Sequence, residues 1–174
     1  PNIQLLHLSG NGLSGSIPKN LNMSSSLTDL ALSSNSLEGT IPDTIQFRQW
    51  DSLDLSYNKF TGTLSEGFVS ISNSGELLLE VNRLSGQIPS SILGTLNISI
   101  LNGNIFQCDT LQTDLPHNDP NYNKYTCGSD SANDILYAWL SAVIVVPLLT
   151  LVVWKGISKV KTSFKGLIMK LKVW

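Results

Sequence analysis

Residues 6–18 read LHLSGNGLSGSIP, and inside them GNGLSG, from Gly10 to Gly15, satisfies the dinucleotide fingerprint G-x-G-x-x-G. An apolar run, IQLLHL, precedes it, and Asp29 stands where a ribose-binding acid belongs. Pyrophosphate binding would require a helix starting on the second or third glycine, its N-terminal N–H groups facing the phosphates. Pro18 would fall in the second turn of that helix, removing a donor and clashing with the carbonyl four residues back. The segment that follows, NLNMSSSL, competes with helix through its Asn and Ser side chains. The stretch predicts no nucleotide site.

It predicts a repeat instead. LHLSGNGLSGSIP returns as LALSSNSLEGTIP at 30–42, as LDLSYNKFTGTLS at 53–65 and as LLLEVNRLSGQIP at 77–89. Asn11, Asn35, Asn58 and Asn82 are spaced 24, 23 and 24 residues apart, and a degraded fifth copy ends NIFQC, with Asn104, Phe106 and Cys108 on the pattern. A constant period of this length marks a stacked solenoid. Gly15 recurs as Gly39, Gly62 and Gly86, whereas Gly10 and Gly12 meet no glycine in the other copies and read as variable positions.

Each fixed position has a physical task. In L-x-L the two apolar residues leave a short strand on the same side, so Leu30 with Leu32, or Leu53 with Leu55, enter a core. The residues between and after them face outward. The asparagine closes the strand, and its amide can satisfy backbone groups that the turn leaves open. Stacked copies would make Asn11, Asn35, Asn58, Asn82 and Asn104 a ladder. The later glycine suits a backbone position that a Cβ would crowd. Ile-Pro then begins an extended segment on the opposite side, the proline fixing φ and carrying no donor.

This pattern resembles the plant-type leucine-rich repeat, LxxLxLxxNxLxGxIP, over roughly residues 3–108. Two departures stand out: Leu64-Ser65 replaces Ile-Pro in the third copy, and Ser74 holds the first leucine position of the fourth. The resemblance implies an α/β repeat solenoid with short parallel strands, four clear copies plus one degraded over 1–107. It also implies a cysteine-bearing C-terminal cap, here 108–134, with NIFQC at its start. A Cys108–Cys127 disulfide would close a loop of about 20 residues and stabilise by about 3 kcal/mol. It would also help cover the apolar end of the solenoid.

Charge divides the chain. Of 174 residues, 41% are hydrophobic and the net charge is −2, which suits one domain and little more. Up to Asp134 there are 13 acids against 5 bases, a net of −8; from Lys155 onward there are 6 lysines and no acid, a net of +6. Between them, residues 135–154 read ILYAWLSAVIVVPLLTLVVW, without a charge. As a helix this stretch spans about 30 Å, the thickness of bilayer hydrocarbon. A solenoid offers no cavity to bury it, and Tyr137, Trp139 and Trp154 sit near its ends, where amphipathic rings collect. Pro147 is tolerated in lipid where a neighbour or a local adjustment satisfies the carbonyl of Val143. Lys155, Lys159, Lys161 and Lys165 flank the span and favour a cytoplasmic C-terminus. The repeats would then lie outside, in a compartment that suits a disulfide and the sequons at Asn22 and Asn97.

The tail, 155–174, places Ile157, Val160, Phe164, Leu167, Ile168 and Leu171 on one helical stripe among lysines. Two readings remain open for it: a basic amphipathic helix on an anionic inner leaflet, or an unstructured stop-transfer tail. His7 and His117 have no cysteine or acid cluster at ligand spacing, and no G-x-S-x-G appears. His7 reads as a solvated outward residue. No enzyme activity, cofactor, metal or nucleic-acid partner is expected.

The expectation is a single-pass cell-surface protein of the plasma membrane, resembling receptor-like proteins that lack a kinase domain. Its concave face would bind a protein, peptide or glycan, and its helix would engage a membrane-protein partner. The outward candidates are Asp29, Ser33, Asp54, Ser56, Tyr57, Glu76, Glu80 and Val81. Their acidic bias fits a basic or polyhydroxylated ligand, or simply a solvated surface. The competing class is a structural or adhesion protein, or an accessory subunit docked by its helix, with Ser141, Ala142 and Pro147 serving helix packing. Pro1 opens the chain almost at a strand, so the expectation includes further repeats, or a cap and signal peptide, upstream.

Overall fold

In the computed structural model, described residues are 2–21, 23–69, 71–72, 74–109, 111–128 and 138–171; within the last stretch, side chains are described for 138–157 and 161. The chain divides into two units, Pro1–Asp130 and Ser131–Trp174. The sequon at Asn22 and residues 135–137 of the expected span lie outside the described residues.

The first unit is a parallel-strand solenoid, as the L-x-L spacing implies. Strands β1 (Leu5–His7), β3 (Asp29–Ala31), β5 (Ser52–Asp54), β7 (Glu76–Leu78) and β9 (Asn97–Ser99) form one five-stranded sheet in that order. Equivalent positions pair without stagger, Leu6 with Leu30, Leu30 with Leu53, Leu53 with Leu77 and Leu77 with Ile98. The inward leucines therefore stack, and Leu53, Leu55, Leu77 and Leu79 are wholly buried. Such fully buried leucines contribute about 1.5–3 kcal/mol each.

The repeat pattern did not predict a second sheet. β2 (Ser14–Ser16), β4 (Ser36–Gly39), β6 (Lys59–Thr63), β8 (Arg83–Gly86) and β10 (Ile105–Phe106) pair in parallel along the other side of the turn. Here the register slips by two residues per coil, Ser14 facing Ser36 and Glu38 facing Lys59. Among the described residues of the repeats, helix is limited to one turn at Asp43–Gln46 and a 3₁₀ turn at Ser90–Ile92. Trp50 occupies the first leucine position of its coil, wholly buried, its indole N–H donating to the carbonyl of Ile45 at 2.9 Å. Ser65, standing where other copies have proline, has an N–H to satisfy, and it donates to Oε1 of buried Gln46 at 2.7 Å. Ser74 is exposed in its departing coil.

The asparagines tie neighbouring coils together. Asn58 accepts from Leu37 N–H at 3.0 Å and donates to the carbonyls of Leu32, Leu55 and Ser56. Asn35, Asn82 and Asn104 repeat the arrangement, accepting from the backbone N–H groups of Leu13, Phe60 and Leu84. Each amide thus bonds its own turn and the preceding one. The residue just before each asparagine is left-handed in every coil: Gly10 at φ +69°, Ser34 at 55°, Tyr57 at 53°, Val81 at 53° and Gly103 at 71°. Gly10 is therefore not a conformationally free position. Its residue type varies between copies, but the turn imposes the same backbone each time. Val81, β-branched, is the costliest occupant.

The last coil ends in the cap. In interior coils the N–H of the second leucine donates to a carbonyl of the next strand, as Leu55 does to Leu78 and Leu79 to Ser99. At Ile100 the buried carboxylate of Asp119 takes that place, accepting from Ile100 N–H at 2.7 Å and Leu101 N–H at 3.0 Å. It stands in for a sixth strand. A Cys108–Cys127 disulfide closes the segment, and Leu115 within the enclosed loop is wholly buried. The Tyr125 hydroxyl donates to the carbonyl of Phe106 at 3.1 Å, and burial pushes its phenol up to about 12.

In the second unit a π-helical turn at Ser141–Val145 leads into one helix, Val146–Leu171. The N–H of Val146 bonds Ser141 five residues back, a wide turn directly before Pro147, whose missing N–H breaks the ordinary ladder. Ser141 and Thr150 donate their hydroxyls to the carbonyls of Ala138 and Pro147, so neither leaves a free polar group. The window Ala138–Ile157, mean hydropathy 2.2, is long and apolar enough to cross a membrane.

Candidate ligand-binding face

The in-phase register of the first sheet arranges its outward side chains in columns. Leu5, Asp29, Ser52, Glu76 and Asn97 form one; His7, Ala31, Asp54, Leu78 and Ser99 form the other. Parallel strands sit about 4.8 Å apart, so each column is a ladder of contacts at that step. None of the five strands carries a lysine or arginine.

Hydrogen bonds across the strands fix several of these groups. His7 Nε2 lies 2.8 Å from Asp29 Oδ1, with the imidazole 59% exposed and the carboxylate 23%. His7 is outward, as expected, but it is held by the carboxylate one strand away. Ser33 donates to Ser9 Oγ at 2.8 Å, and Ser99 donates to Glu80 Oε2 at 2.8 Å. Asp54 Oδ1 accepts from the Ser56 backbone N–H at 3.0 Å and from its hydroxyl at 2.6 Å.

That last pair corrects the expectation for Ser56. It is only 4% exposed, with its hydroxyl turned back onto Asp54, so it offers a ligand little surface. Its counterpart in the next coil, Glu80, has Leu78 in the place of Asp54 and accepts instead from Ser99 on the adjacent strand. Tyr57, 48% exposed, extends from the left-handed turn position beside this face, and Val81 is half-buried at the same position one coil on. Asp29 and Asp54 are half-buried and Glu76 exposed. The strand periodicity predicts Asp29, Asp54 and Glu76 on one side. It also offered His7, Ser52, Leu78 and Ser99, which belong to the same columns; alternation alone would have found them.

Asn97 begins β9 and is exposed, with its amide donating to the carbonyl of Gly75 at 3.3 Å. His117 lies on the cap, its ring 4.5 Å from that of Tyr122. Of the flanking lysines, Lys155 and Lys161 are exposed on the helix, and the side chains of Lys159 and Lys165 lie outside the described residues.

Comparison with known proteins agrees with this architecture. The sequence profile of the Leucine Rich Repeat family matches residues 2–23, 26–47 and 50–71. A leucine-rich repeat receptor protein kinase, MSL1, of Oryza sativa subsp. japonica is 41% identical over 64 residues, 37% of this chain and 4% of that protein. Receptor-like protein 9b of Arabidopsis thaliana is 40% identical over 63 residues, 35% of this chain and 7% of that protein. The matches thus span less than a tenth of either relative. Among solved structures, the crystal structure of a pollen receptor kinase 3 superposes with a TM-score of 0.51 at 28% identity, over 67% of this chain and 57% of that one. Three of the repeats thus match the leucine-rich repeat family, and the similar proteins are plant receptors of that kind.

Proposed function

We propose that this chain, with its plant-type leucine-rich repeats and one apolar helix, is a receptor-like protein that binds a protein or peptide ligand on its concave sheet and acts through a membrane partner. The observation that carries the reading is the unstaggered five-stranded sheet, whose outward columns hold Asp29, Asp54 and Glu76 within reach of one extended ligand. Acids without a neighbouring lysine or arginine favour a basic ligand. A glycan ligand fits the same columns less well, since Leu78 interrupts their polarity. The activity is non-catalytic: recognition outside, transmitted by association within the membrane.

In this reading the repeats lie outside, residues 135–154 span the membrane and the lysines hold the tail in the cytoplasm. Domain limits are 1–107 for the repeats, 108–134 for the cap and 155–174 for the tail. Glycans on Asn22 and Asn97 belong to the same orientation; one on Asn97 would bound the ligand face at β9. The test has two arms. Binders selected from a peptide library on the full chain in detergent should be lost when Asp54 and Glu76 become Ala, and kept when Glu38, on the other sheet, becomes Ala. Protease added to intact cells should remove the repeats and spare a C-terminal tag; the reverse result would overturn the receptor reading.

The accessory-subunit reading rests on one observation, the π turn at Ser141–Val145 that carries Ser141 and Ala142, a small-residue surface suited to close helix packing. A stoichiometric complex that survives deletion of the repeats would favour it.

A further inference from the structure

The stretch GNGLSG carries a chemistry that the repeat itself does not use. The chain holds two Asn-Gly pairs, Asn11-Gly12 in the first coil and Asn102-Gly103 in the last. In such a pair the glycine nitrogen can attack the preceding side-chain amide, because no Cβ shields it. The attack requires the peptide plane between the two residues to turn until that nitrogen reaches Cγ. Whatever holds the plane therefore decides whether the pair reacts.

At Asn11 the plane is free. Among the described residues, the Asn11 carbonyl accepts no hydrogen bond and the Gly12 N–H donates none. Both residues are exposed, and nothing lies within 4 Å of the Cβ position at Gly12. The Asn11 amide makes a single bond, to the Ser9 carbonyl at 3.2 Å. In the other four coils the residue after the ladder asparagine, Ser36, Lys59, Arg83 or Ile105, is the first of its second-sheet strand and pairs with the coil before. Ser36 N–H, for one, donates to the carbonyl of Leu13 at 2.7 Å. In the first coil β2 begins only at Ser14, beyond Gly12. Asn102 is exposed too, but its carbonyl accepts from Val81 N–H at 2.7 Å, and Gly103 is packed against the Val81 backbone.

We propose that Asn11 is a modification site, deamidating spontaneously through a succinimide closed by Gly12, and that the product loosens the first coil from the second. The Gly12 nitrogen gives up its proton and bonds to Asn11 Cγ; the bond from Cγ to Nδ2 breaks, and the nitrogen leaves as ammonia with that proton. Water then opens the ring at either carbonyl, giving aspartate or isoaspartate. Asn11 N–H and Leu13 N–H converge on Oδ1 of Asn35, at 3.0 and 2.9 Å. Isoaspartate inserts one main-chain atom between them and misaligns them for a shared acceptor. Either product also sets a carboxylate where the amide donated to the Ser9 carbonyl.

The full chain in detergent is aged in mildly alkaline buffer. Its peptides are followed by the mass gain of amide-to-acid conversion and by labelling with an isoaspartyl methyltransferase. Opening one backbone hydrogen bond first slows the attack roughly fivefold. Asn102 should therefore convert roughly fivefold more slowly than Asn11 in the folded chain, by the same reasoning, and the four inner ladder asparagines more slowly still. In denaturant, where no plane is held, the two Asn-Gly pairs should convert at equal rates. An Asn11 that converts in denaturant but keeps its amide in the folded chain overturns the site. Equal folded rates at Asn11 and Asn102 overturn the free plane as its cause. Amide exchange over residues 5–16 should be faster in the aged chain than in the fresh one, and Asn11→Gln, whose longer side chain closes the ring poorly, should age without that change. Exchange that stays the same after Asn11 has converted overturns the loosening.

Discussion

The first and third coils carry the same motif in different surroundings. In the third, Leu53 and Leu55 are wholly buried; in the first, Leu6 is half-buried and Leu8 is 38% exposed. Asn58 bonds four backbone groups across two coils, while exposed Asn11, among the described residues, donates from its amide to the carbonyl of Ser9 alone, at 3.2 Å. A leucine or asparagine of this motif has no fixed worth. Its contribution comes from the coil stacked on each side, as expected where every repeat contacts only its neighbours.

The strongest way to break that comparison is in the core. Leu53→Ala should cost about 2–5 kcal/mol, and Leu8→Ala less than about 1 kcal/mol, since much of that side chain is already in water. Denaturant midpoints of the full chain in detergent measure both; equal losses would show that position in the stack does not set the value.

The asparagines give the next largest contrast. Asn58→Ala leaves a backbone N–H and three carbonyls without their partner and should cost about 1–3 kcal/mol. Asn11→Ala should cost a few tenths by the same reasoning. A Tm drop at Asn11 as large as that at Asn58 would count against the inter-coil bonding as the source of the effect.

A subtler contrast concerns the turn position. Gly10 at φ +69° has open space around its Cβ position, yet Gly10→Ala should cost about 1 kcal/mol because the left-handed backbone disfavours any Cβ. Val81→Asn, at φ 53°, should stabilise by up to about 1 kcal/mol, as asparagine tolerates that region. If both changes prove neutral, the imposed left-handed turn is not what differs between residue types here.

The smallest effect tests the cap end against the solenoid. The Tyr125 phenol, raised to about 12 by burial, is held neutral in the fold. In the unfolded chain it ionises near its ordinary value of about 10. Its contribution should be complete below about pH 10 and lost as pH climbs toward 12. The Tm advantage of the native chain over Tyr125→Phe should shrink across that window, and a constant difference would place the phenol's energetics elsewhere.

Much of this was legible beforehand. The leucine and asparagine positions announce the solenoid because L-x-L alternation and a turn-closing amide are local requirements. The uncharged run announces an apolar helix of membrane length, described from Ala138 onward, because hydrocarbon thickness sets a length. Ser56 misled because alternation gives the side on which a residue starts, not where its hydroxyl folds back. Gly10 misled because residue identity was taken for backbone conformation. Asp119 carried no signal, being an acid in an irregular segment whose partners, Ile100 and Leu101, are 19 and 18 residues away.

The sequence by itself determined the repeat, its inward residues, the cap cysteines and the apolar helix, since each follows from spacing along the chain. Only the tertiary structure decided the second sheet with its two-residue slip, the left-handed turn before each repeat asparagine, the carboxylate that replaces a sixth strand and which outward side chains of the first sheet are bonded to their neighbours. The reason is that these depend on partners one coil away, such as Asn58 and Leu37, 21 residues apart. Stacking sets those distances, and no local pattern encodes them.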